Sequence, residues 1–295
     1  MKKPCRKIIL CCFAVLLAAI CSMTPATAGS QETAQIKKEF QPLTKRLESD
    51  GFAPDYLEKV FSNTQVVFDP KGVSLFFVHS ESSLDYDQFL SDDSIAAAAS
   101  YMTAHKEALD RAQEEFGVDK TIITAIILVE TRLGAYVGNK AVINTLSTMA
   151  SLSDPDVKEL LWRAIGDQKG LTRELFDKKT LDKAEWAYAE LKALLKFSQR
   201  EGLDPVAITG SYAGAMGISQ FMPSNALTLA KDGDKDGAVN LFQHDDAIHS
   251  IANYLKHYGW KPSVTRQQAH KILYKYNRSN YYVDTLLKIS DRLKG

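Results

Sequence analysis

The run Ile122-Ile-Thr-Ala-Ile-Ile-Leu-Val-Glu-Thr-Arg-Leu-Gly134 constrains this chain more than any other stretch. As a helix it is apolar around nearly its whole circumference, so other elements must cover it on most sides. Ile123, Ile127 and Glu130 recur at i, i+4 and i+7, which places a carboxylate on a buried stripe. Gly134 is expected to end the helix, one turn beyond Glu130. Desolvation and the negative end of the helix dipole both favour the protonated carboxyl at such a position. A protonated carboxyl at the mouth of a core helix suits general-acid chemistry. A Glu that reaches solvent, or that pairs with Arg132 or Lys140, would instead be structural.

The other periodicities supply the helices needed to cover it. Residues 30–50 are polar with weak helical periodicity, and Phe52–Phe61 reads as a short helix with Pro54 in its first turn. Gln65–Asp69 and Val73–Val78 are the strand candidates, joined by a Pro70-Lys-Gly72 turn as a hairpin or left as irregular extended chain. From Asp93 onward the pattern is helical. The expected helices are Ser94–Phe116, the central run N-capped by Asp119, Pro155 to about Asp167, and Thr180–Glu201 ended by Gly202. A short one opens at Asp204-Pro205, followed by Asp245–Tyr258, Thr265–Tyr276 and Ser279–Leu293. No repeat or linker divides residues 93–295, which read as one unit, with 29–92 as a segment packed on it.

Basic and acidic residues number 36 each, a balance that argues against nucleic acid as a partner. Residues 1–28 read as a signal peptide. Lys2, Lys3, Arg6 and Lys7 precede an apolar run from Ile8 to Ile20, and Ala26-Thr-Ala28 is a cleavage signal. An exported, periplasmic protein is expected. All four cysteines fall in this segment, so the mature chain would have no thiol or disulfide chemistry. Leu17-Ala-Ala-Ile-Cys21 is an imperfect lipobox, and acylation of Cys21 is the less favoured alternative.

Three motifs carry chemistry. Asp232-Gly-Asp-Lys-Asp-Gly237 matches the start of a calcium loop: alternating carboxylates converge, Gly237 permits the sharp turn and Ala238 offers a carbonyl. The twelfth position is Gln243 rather than Glu, so Asp245 or Asp246 would close a longer loop. Gly210-Ser-Tyr-Ala-Gly-Ala-Met-Gly-Ile-Ser-Gln220 permits close backbone approach, with Ser211 and Gln220 as hydrogen-bonding groups, or else serves helix packing. Tyr274–Tyr282 is dense in aromatics and amides, which suits sugar rings and equally suits half-buried core tyrosines. The histidines show no metal-ligand spacing, and His244, His249 and His257 read as surface residues.

In this order, the motifs resemble the membrane-bound lytic murein transglycosylase B family. The resemblance covers roughly residues 93–295 and rests on Val129–Gly134, Gly210–Gly217, Gln220–Ser224, Asp232–Asn240, Ala252–Leu255 and Tyr276–Tyr282. It implies a mainly α, lysozyme-like transglycosylase fold with an EF-hand-like calcium loop and little β structure. It also implies a reaction on peptidoglycan glycan strands that leaves 1,6-anhydromuramyl ends without water, with Glu130 acting as acid and then base. Carried over by position, Ser211 orients the substrate acetamido group, and Gln220, Tyr254, Tyr276, Asn277 and Tyr282 line the groove. Tyr86 is the candidate for a further upstream tyrosine. Calcium would be held by Asp232, Asp234, Asp236, the Ala238 carbonyl and Asp246, and no organic cofactor is expected. Leu133 stands where the family commonly has an aromatic residue. A monomer is expected, with cell-wall machinery as a partner the resemblance allows. The rival readings are a lysozyme-type hydrolase on the same fold, disfavoured by the lack of a second carboxylate near the motifs, and an inactive calcium-stabilised wall-binding protein, disfavoured by intact Glu130, Ser211 and Gln220.

Overall fold

A computed structural model describes residues 35–78 and 85–295; the expected signal peptide and Cys21 lie outside the described residues. In chain order the elements are α1 (Gln41–Ser49), α2 (Pro54–Phe61), α3 (Pro70–Val73), α4 (Leu75–Val78), α5 (Asp92–Ala104), α6 (Lys106–Phe116), α7 (Lys120–Thr131), β1 (Lys140–Ala141), α8 (Val142–Ala150), α9 (Pro155–Ile165), α10 (Arg173–Glu201), β2 (Thr209–Gly210), α11 (Pro223–Leu229), α12 (His244–His257), α13 (Arg266–Tyr276) and α14 (Asn280–Lys294). The fold is mainly α, with β structure among the described residues reduced to one short antiparallel pair in which Lys140 faces Gly210 and Ala141 faces Thr209.

The central run forms α7, and every residue from Thr121 to Leu128 is buried. It is covered by α5, α6, α12 and α14, as an all-round apolar helix requires. The expected Asp119 cap is replaced: Asp119 occupies the N-cap position without a side-chain bond and pairs with Lys294 at 3.0 Å. The Gln113 side chain accepts the Lys120 N–H instead, at 3.0 Å. The expected helix over Ser94–Phe116 is two helices, broken at His105, where φ is −109° and ψ 28°. The His105 ring lies 4.3 Å from both the Tyr101 and His244 rings; its N–H closes the last turn of α5 on the Tyr101 carbonyl and its carbonyl opens the first turn of α6 by accepting the Leu109 N–H.

Of the two readings for Gln65–Asp69 and Val73–Val78 the hairpin does not form: residues 66–69 are irregular chain, and Val73–Val78 falls across α3 and α4. Asp69 caps α3 by accepting the Gly72 N–H at 2.9 Å, and Pro70 starts that helix. The neighbouring backbone donors go to side chains of α8 rather than to a partner strand: Val67 N–H to Asn144 Oδ1 at 3.0 Å and Asp69 N–H to Thr148 Oγ1 at 2.9 Å. Asp204-Pro205 makes a turn, with Asp204 Oδ1 accepting the Val206 N–H, because the chain must straighten by Thr209 to pair with β1. α10 begins earlier than expected, at a Thr172 cap, and ends at Gly202 (φ 67°) as expected.

Residues 35–78 lie against α8 and α10. Arg46 pairs with Glu185, Asp50 receives Lys192 and the Tyr188 hydroxyl, and Phe77 packs on Phe176 at 5.0 Å. Among the described residues no helix is long and apolar enough to cross a membrane.

Because α7 is enclosed on all sides, Ile126→Ala, at a fully buried position, should lower unfolding stability by about 2–5 kcal/mol in urea titration. An unchanged midpoint would mean that α7 is not the core.

Candidate active site

α7 ends at Thr131, three residues before Gly134. Arg132 (φ 49°) and Leu133 (φ 64°) both take left-handed backbone, and Gly134 follows at φ 90°. The Leu133 N–H reaches back to the Ile127 carbonyl and the Arg132 N–H to Leu128, which satisfies the last helix carbonyls. Two consecutive non-glycine residues in this region cost on the order of 1–2 kcal/mol each, so the surroundings must impose the turn. Thr131, buried, supplies much of that constraint. Its hydroxyl contacts the Ile127 and Ile218 carbonyls and accepts the Gly134 N–H at 3.0 Å. The helix end is thereby tied to the glycine-rich segment.

Glu130 is half-buried on this last turn. The Tyr282 hydroxyl, from the first turn of α14, donates to Glu130 Oε1 at 2.6 Å. Tyr282 is almost wholly enclosed, and the Tyr86 ring meets it edge-on at 6.2 Å. Tyr276 keeps a partly exposed ring, but its hydroxyl is enclosed and donates to the Ser219 carbonyl at 2.5 Å. Burial pushes both phenols well above their usual range, and the charge of Glu130 adds to the shift. Tyr254 is buried, gives its hydroxyl to the Lys275 carbonyl at 2.7 Å, and packs on Phe221 and Tyr276. These tyrosines thus form a braced wall beside one carboxylate. Asn277 follows α13 half-buried, in extended backbone, next to Tyr276.

The glycine-rich segment is packed backbone against backbone, not helix against helix. A Cβ on Gly138 would lie 2.1 Å from the Gly210 carbonyl oxygen, and one on Gly210 would lie 2.1 Å from that of Ala215. Gly210 and Met216 bridge, as do Met216 and Phe221, so the segment folds back beside the β pair. Ser211 Oγ accepts the Ala213 and Ala215 N–H groups at 3.2 and 3.1 Å, which leaves its O–H as a donor. Gln220, at φ 50°, donates its amide to the Val137 and Gly217 carbonyls, which leaves Oε1 as an acceptor.

Between α11 and α12, Asp232, Asp234 and Asp246 bring carboxylate oxygens within 4.8 Å of one another. Asp246 is buried and accepts only backbone N–H groups, from Gly233 at 2.8 Å and Asn240 at 2.6 Å. Burial raises its carboxyl, and the charges of Asp234 and Asp232 raise it further. The local arginine, Arg111, pairs with Asp245 instead. Crowded carboxylates with this donor set fit a hard, oxygen-seeking divalent cation. Asp236 stands outside the group, its Oδ1 occupied by the Ala238 N–H at 2.9 Å, and Ala238 is half-buried. Gln243, at the twelfth position, is exposed and starts α12, so the twelve-residue hand does not form. Gly237 takes the left-handed turn expected of it (φ 96°), and Lys235 does so as well.

The histidines correct the surface reading. His249 is buried against Phe116 with Nδ1 2.8 Å from the Asp245 carbonyl, and half-buried His244 stacks on His105 and meets the Tyr101 hydroxyl at 2.9 Å; His257 is exposed. Thr131 was not legible as a clamp, although its place directly after Glu130 at a helix end was the available signal.

Residues 35–268 match the transglycosylase SLT domain family. The chain belongs to that family. It is 34% identical over 173 residues to membrane-bound lytic murein transglycosylase B of Escherichia coli (strain K12), an alignment covering 59% of this chain and 40% of that protein's length. Its fold is shared with Pseudomonas aeruginosa SltB3, solved with NAG-anhNAM-pentapeptide (TM-score 0.71, 20% identity, 88% and 80% of the two chains). It is shared also with Escherichia coli lytic transglycosylase Slt35 in complex with calcium (TM-score 0.64, 22% identity, 90% and 97%). The family resemblance read from the ordered motifs is borne out.

Gly138 sits at φ 89° and has no room for a Cβ beside the Gly210 carbonyl, so Gly138→Ala should destabilise the protein by more than the ~1 kcal/mol of an unstrained glycine replacement, read as a lowered Tm.

Proposed function

We propose that this chain is a peptidoglycan lytic transglycosylase that cleaves the bond from N-acetylmuramic acid to N-acetylglucosamine. The supporting observation is the Tyr282–Glu130 contact: one carboxyl, half-buried at the end of the core helix and held by a buried phenol. The Glu130 carboxyl gives its proton to the glycosidic oxygen as the bond to muramyl C1 breaks. The substrate's acetamido oxygen closes on C1, with the Ser211 hydroxyl orienting it. Glu130, now a carboxylate, takes the proton from the muramyl C6 hydroxyl. O6 displaces the acetamido oxygen from C1, and the anhydro ring closes. The same group serves as acid and then base, so no second carboxylate and no water is required. Tyr282 fixes the reacting oxygen of Glu130, while Tyr86, Tyr254, Tyr276, Asn277 and Gln220 line or brace the groove.

Residues 93–295 form the catalytic unit in this reading, and 29–92 a segment packed on it. Removal of residues 1–28 would leave the protein in the periplasm, where its substrate lies. Asp232, Asp234 and Asp246 would hold calcium, with Ala238 and Asp236 as outer members of the loop. The ion would supply counter-charge to the buried Asp246 and tie the loop to α12, a structural role.

Mass spectrometry of products from purified peptidoglycan should find anhydromuramyl ends that borohydride does not reduce; reducible muramyl ends would make the protein a hydrolase. Glu130→Gln should lower kcat by roughly 10²- to 10⁴-fold, the range of general acid–base catalysis. Tyr282→Phe removes a hydrogen bond to a charged group worth about 1.5–3 kcal/mol, so kcat should fall about 10- to 100-fold with the fold retained by circular dichroism.

Calcium at about a hundred times its Kd should add about 2.7 kcal/mol of stability, seen as a Tm rise that a chelator reverses and Asp246→Ala abolishes. Because the Asp246 carboxyl is held above its usual range, protons compete with the ion, and the Tm rise should shrink as pH falls from 7 toward 4. A melting curve that calcium leaves unmoved would remove the metal from the account.

A further inference from the structure

The Thr131 hydroxyl is buried and has one proton to give. It lies 3.2 Å from the Ile127 carbonyl oxygen and 3.3 Å from that of Ile218, and it accepts the Gly134 N–H at 3.0 Å. Ile127 already accepts the Leu133 N–H at 3.1 Å. Ile218 is buried, and among the described residues no other donor reaches its carbonyl. A buried carbonyl needs a donor, so the proton belongs to Ile218. Ile218 stands in a tight turn over residues 217–220, closed by the Met216 and Phe221 backbones at 2.9 and 3.1 Å. Three other segments hold this turn. The Ile218 N–H reaches the Leu241 carbonyl at 2.8 Å, the Ser219 carbonyl accepts the Tyr276 hydroxyl, and the Gln220 amide donates to the Val137 carbonyl at 3.1 Å. A Cβ on Gly134 would lie 3.5 Å from Ile218 Cδ1, so the chain leaving α7 is seated on the same residue.

We propose that Thr131 is a positioning residue for the proposed acid, its hydroxyl bolting the last turn of α7 to the turn at residues 217–220. The inference rests on the transglycosylase reading above. Neighbouring residues on a helix point about 100° apart, so fixing Thr131 inward fixes the direction in which Glu130 leaves the helix. Tyr282 holds the carboxyl, and Thr131 holds the backbone that carries it. The carbonyls that receive Thr131 and Tyr276 belong to Ile218 and Ser219, which are adjacent in the chain. The acid and the tyrosine wall are therefore registered on consecutive residues of one turn, and Gln220 follows directly. A misplacement of about 1 Å can cost about a hundred-fold in rate, so this common frame bears on turnover as well as on folding.

The test compares variants of the whole chain with peptidoglycan as substrate. Thr131→Val keeps the side-chain shape and removes the hydroxyl. Assayed well below its own Tm, it should lose about ten- to a hundred-fold in kcat while KM moves less than about two-fold. Thr131→Ser, which returns the hydroxyl, should bring kcat back to within about three-fold of the unsubstituted protein. A lowered Tm with kcat intact in Thr131→Val would make Thr131 a structural residue only and overturn the proposal. A raised KM with kcat intact would overturn it as well. If Thr131→Val does not fold, Thr131→Ala is the second variant, since the space it opens lets a water answer Gly134 and Ile218. The same loss of kcat is expected there, and an unchanged kcat rejects the proposal. In the unsubstituted protein the Gly134 amide should exchange with solvent as slowly as the buried amides of α7. Exchange as fast as that of an exposed turn would overturn the bolt whatever the variants do. If the unsubstituted protein does not cleave peptidoglycan, the transglycosylase reading falls instead, and slow exchange at Gly134 would still leave the bolt in place.

Discussion

The hydrogen bond from Tyr282 to Glu130 joins the last turn of α7 to the first turn of α14, and the surrounding structure is what allows it to exist. A carboxylate at the negative end of a helix is unfavourable, and a buried one more so. The chain meets this by ending α7 abruptly. Arg132 and Leu133 adopt left-handed backbone at a cost that a free helix end would avoid by fraying. Thr131 pins that turn to Ile218, and Gly138, Gly210 and Gly217 let the following segments approach to distances no side chain would permit. The tyrosine wall then needs bracing of its own, so Tyr276 and Tyr254 give their hydroxyls to backbone carbonyls while Tyr282 gives its hydroxyl to Glu130.

What was legible in the sequence follows from where information is local. The buried character of α7, the Gly202 stop and the helix starts near Thr265 and Ser279 all depend on residues a few positions apart, and the structure shows each of them, with Thr265 and Ser279 as the N-caps. The errors fall where distant contacts override local preference. Gln65–Asp69 has strand-forming residues, yet its donors are claimed by Asn144 and Thr148, nearly eighty positions away in the chain. His105 interrupts a helical pattern because His244 stacks on it from α12. Asp119 looks like a cap but serves Lys294, and Gln113 replaces it. The residues of the proposed site stand in dense motifs, which made them candidates. Their arrangement was not legible, since nothing local says that Tyr282 rather than Tyr276 reaches Glu130.

Residues 35–78 show how far the site's support extends. They hold α8 through Asn144 and Thr148 and hold α10 through Glu185, Tyr188 and Lys192. α8 follows directly on β1, whose partner strand leads into Ser211. A segment with no residue in the proposed chemistry therefore fixes the register of the strand pair from which Ser211 emerges. Two of these contacts are partly exposed ion pairs, each worth little alone, and the rest are single hydrogen bonds. The apolar part, Phe77 on Phe176 and Phe40 on Phe61, carries more of the stability and leaves the polar contacts to set orientation.

Three shielded carboxylates separate three uses of the same group. Glu190, on α10, is buried and fully committed: its two oxygens accept the Ser224 N–H at 2.9 Å and hydroxyl at 2.8 Å, capping α11. It answers a positive helix end with a negative charge and has no lone pair directed elsewhere by these contacts. Asp246 is equally buried and also accepts two backbone N–H groups, but Asp232 and Asp234 crowd it, so its charge is compounded rather than answered. That excess is what a divalent ion would remove. Glu130 differs from both. It sits at the wrong end of a helix, keeps some exposure, and accepts a hydrogen bond from a phenol that burial keeps protonated. Of the three it is the one placed at a helix C-terminus beside a buried phenol, the position that the proposed acid–base role requires.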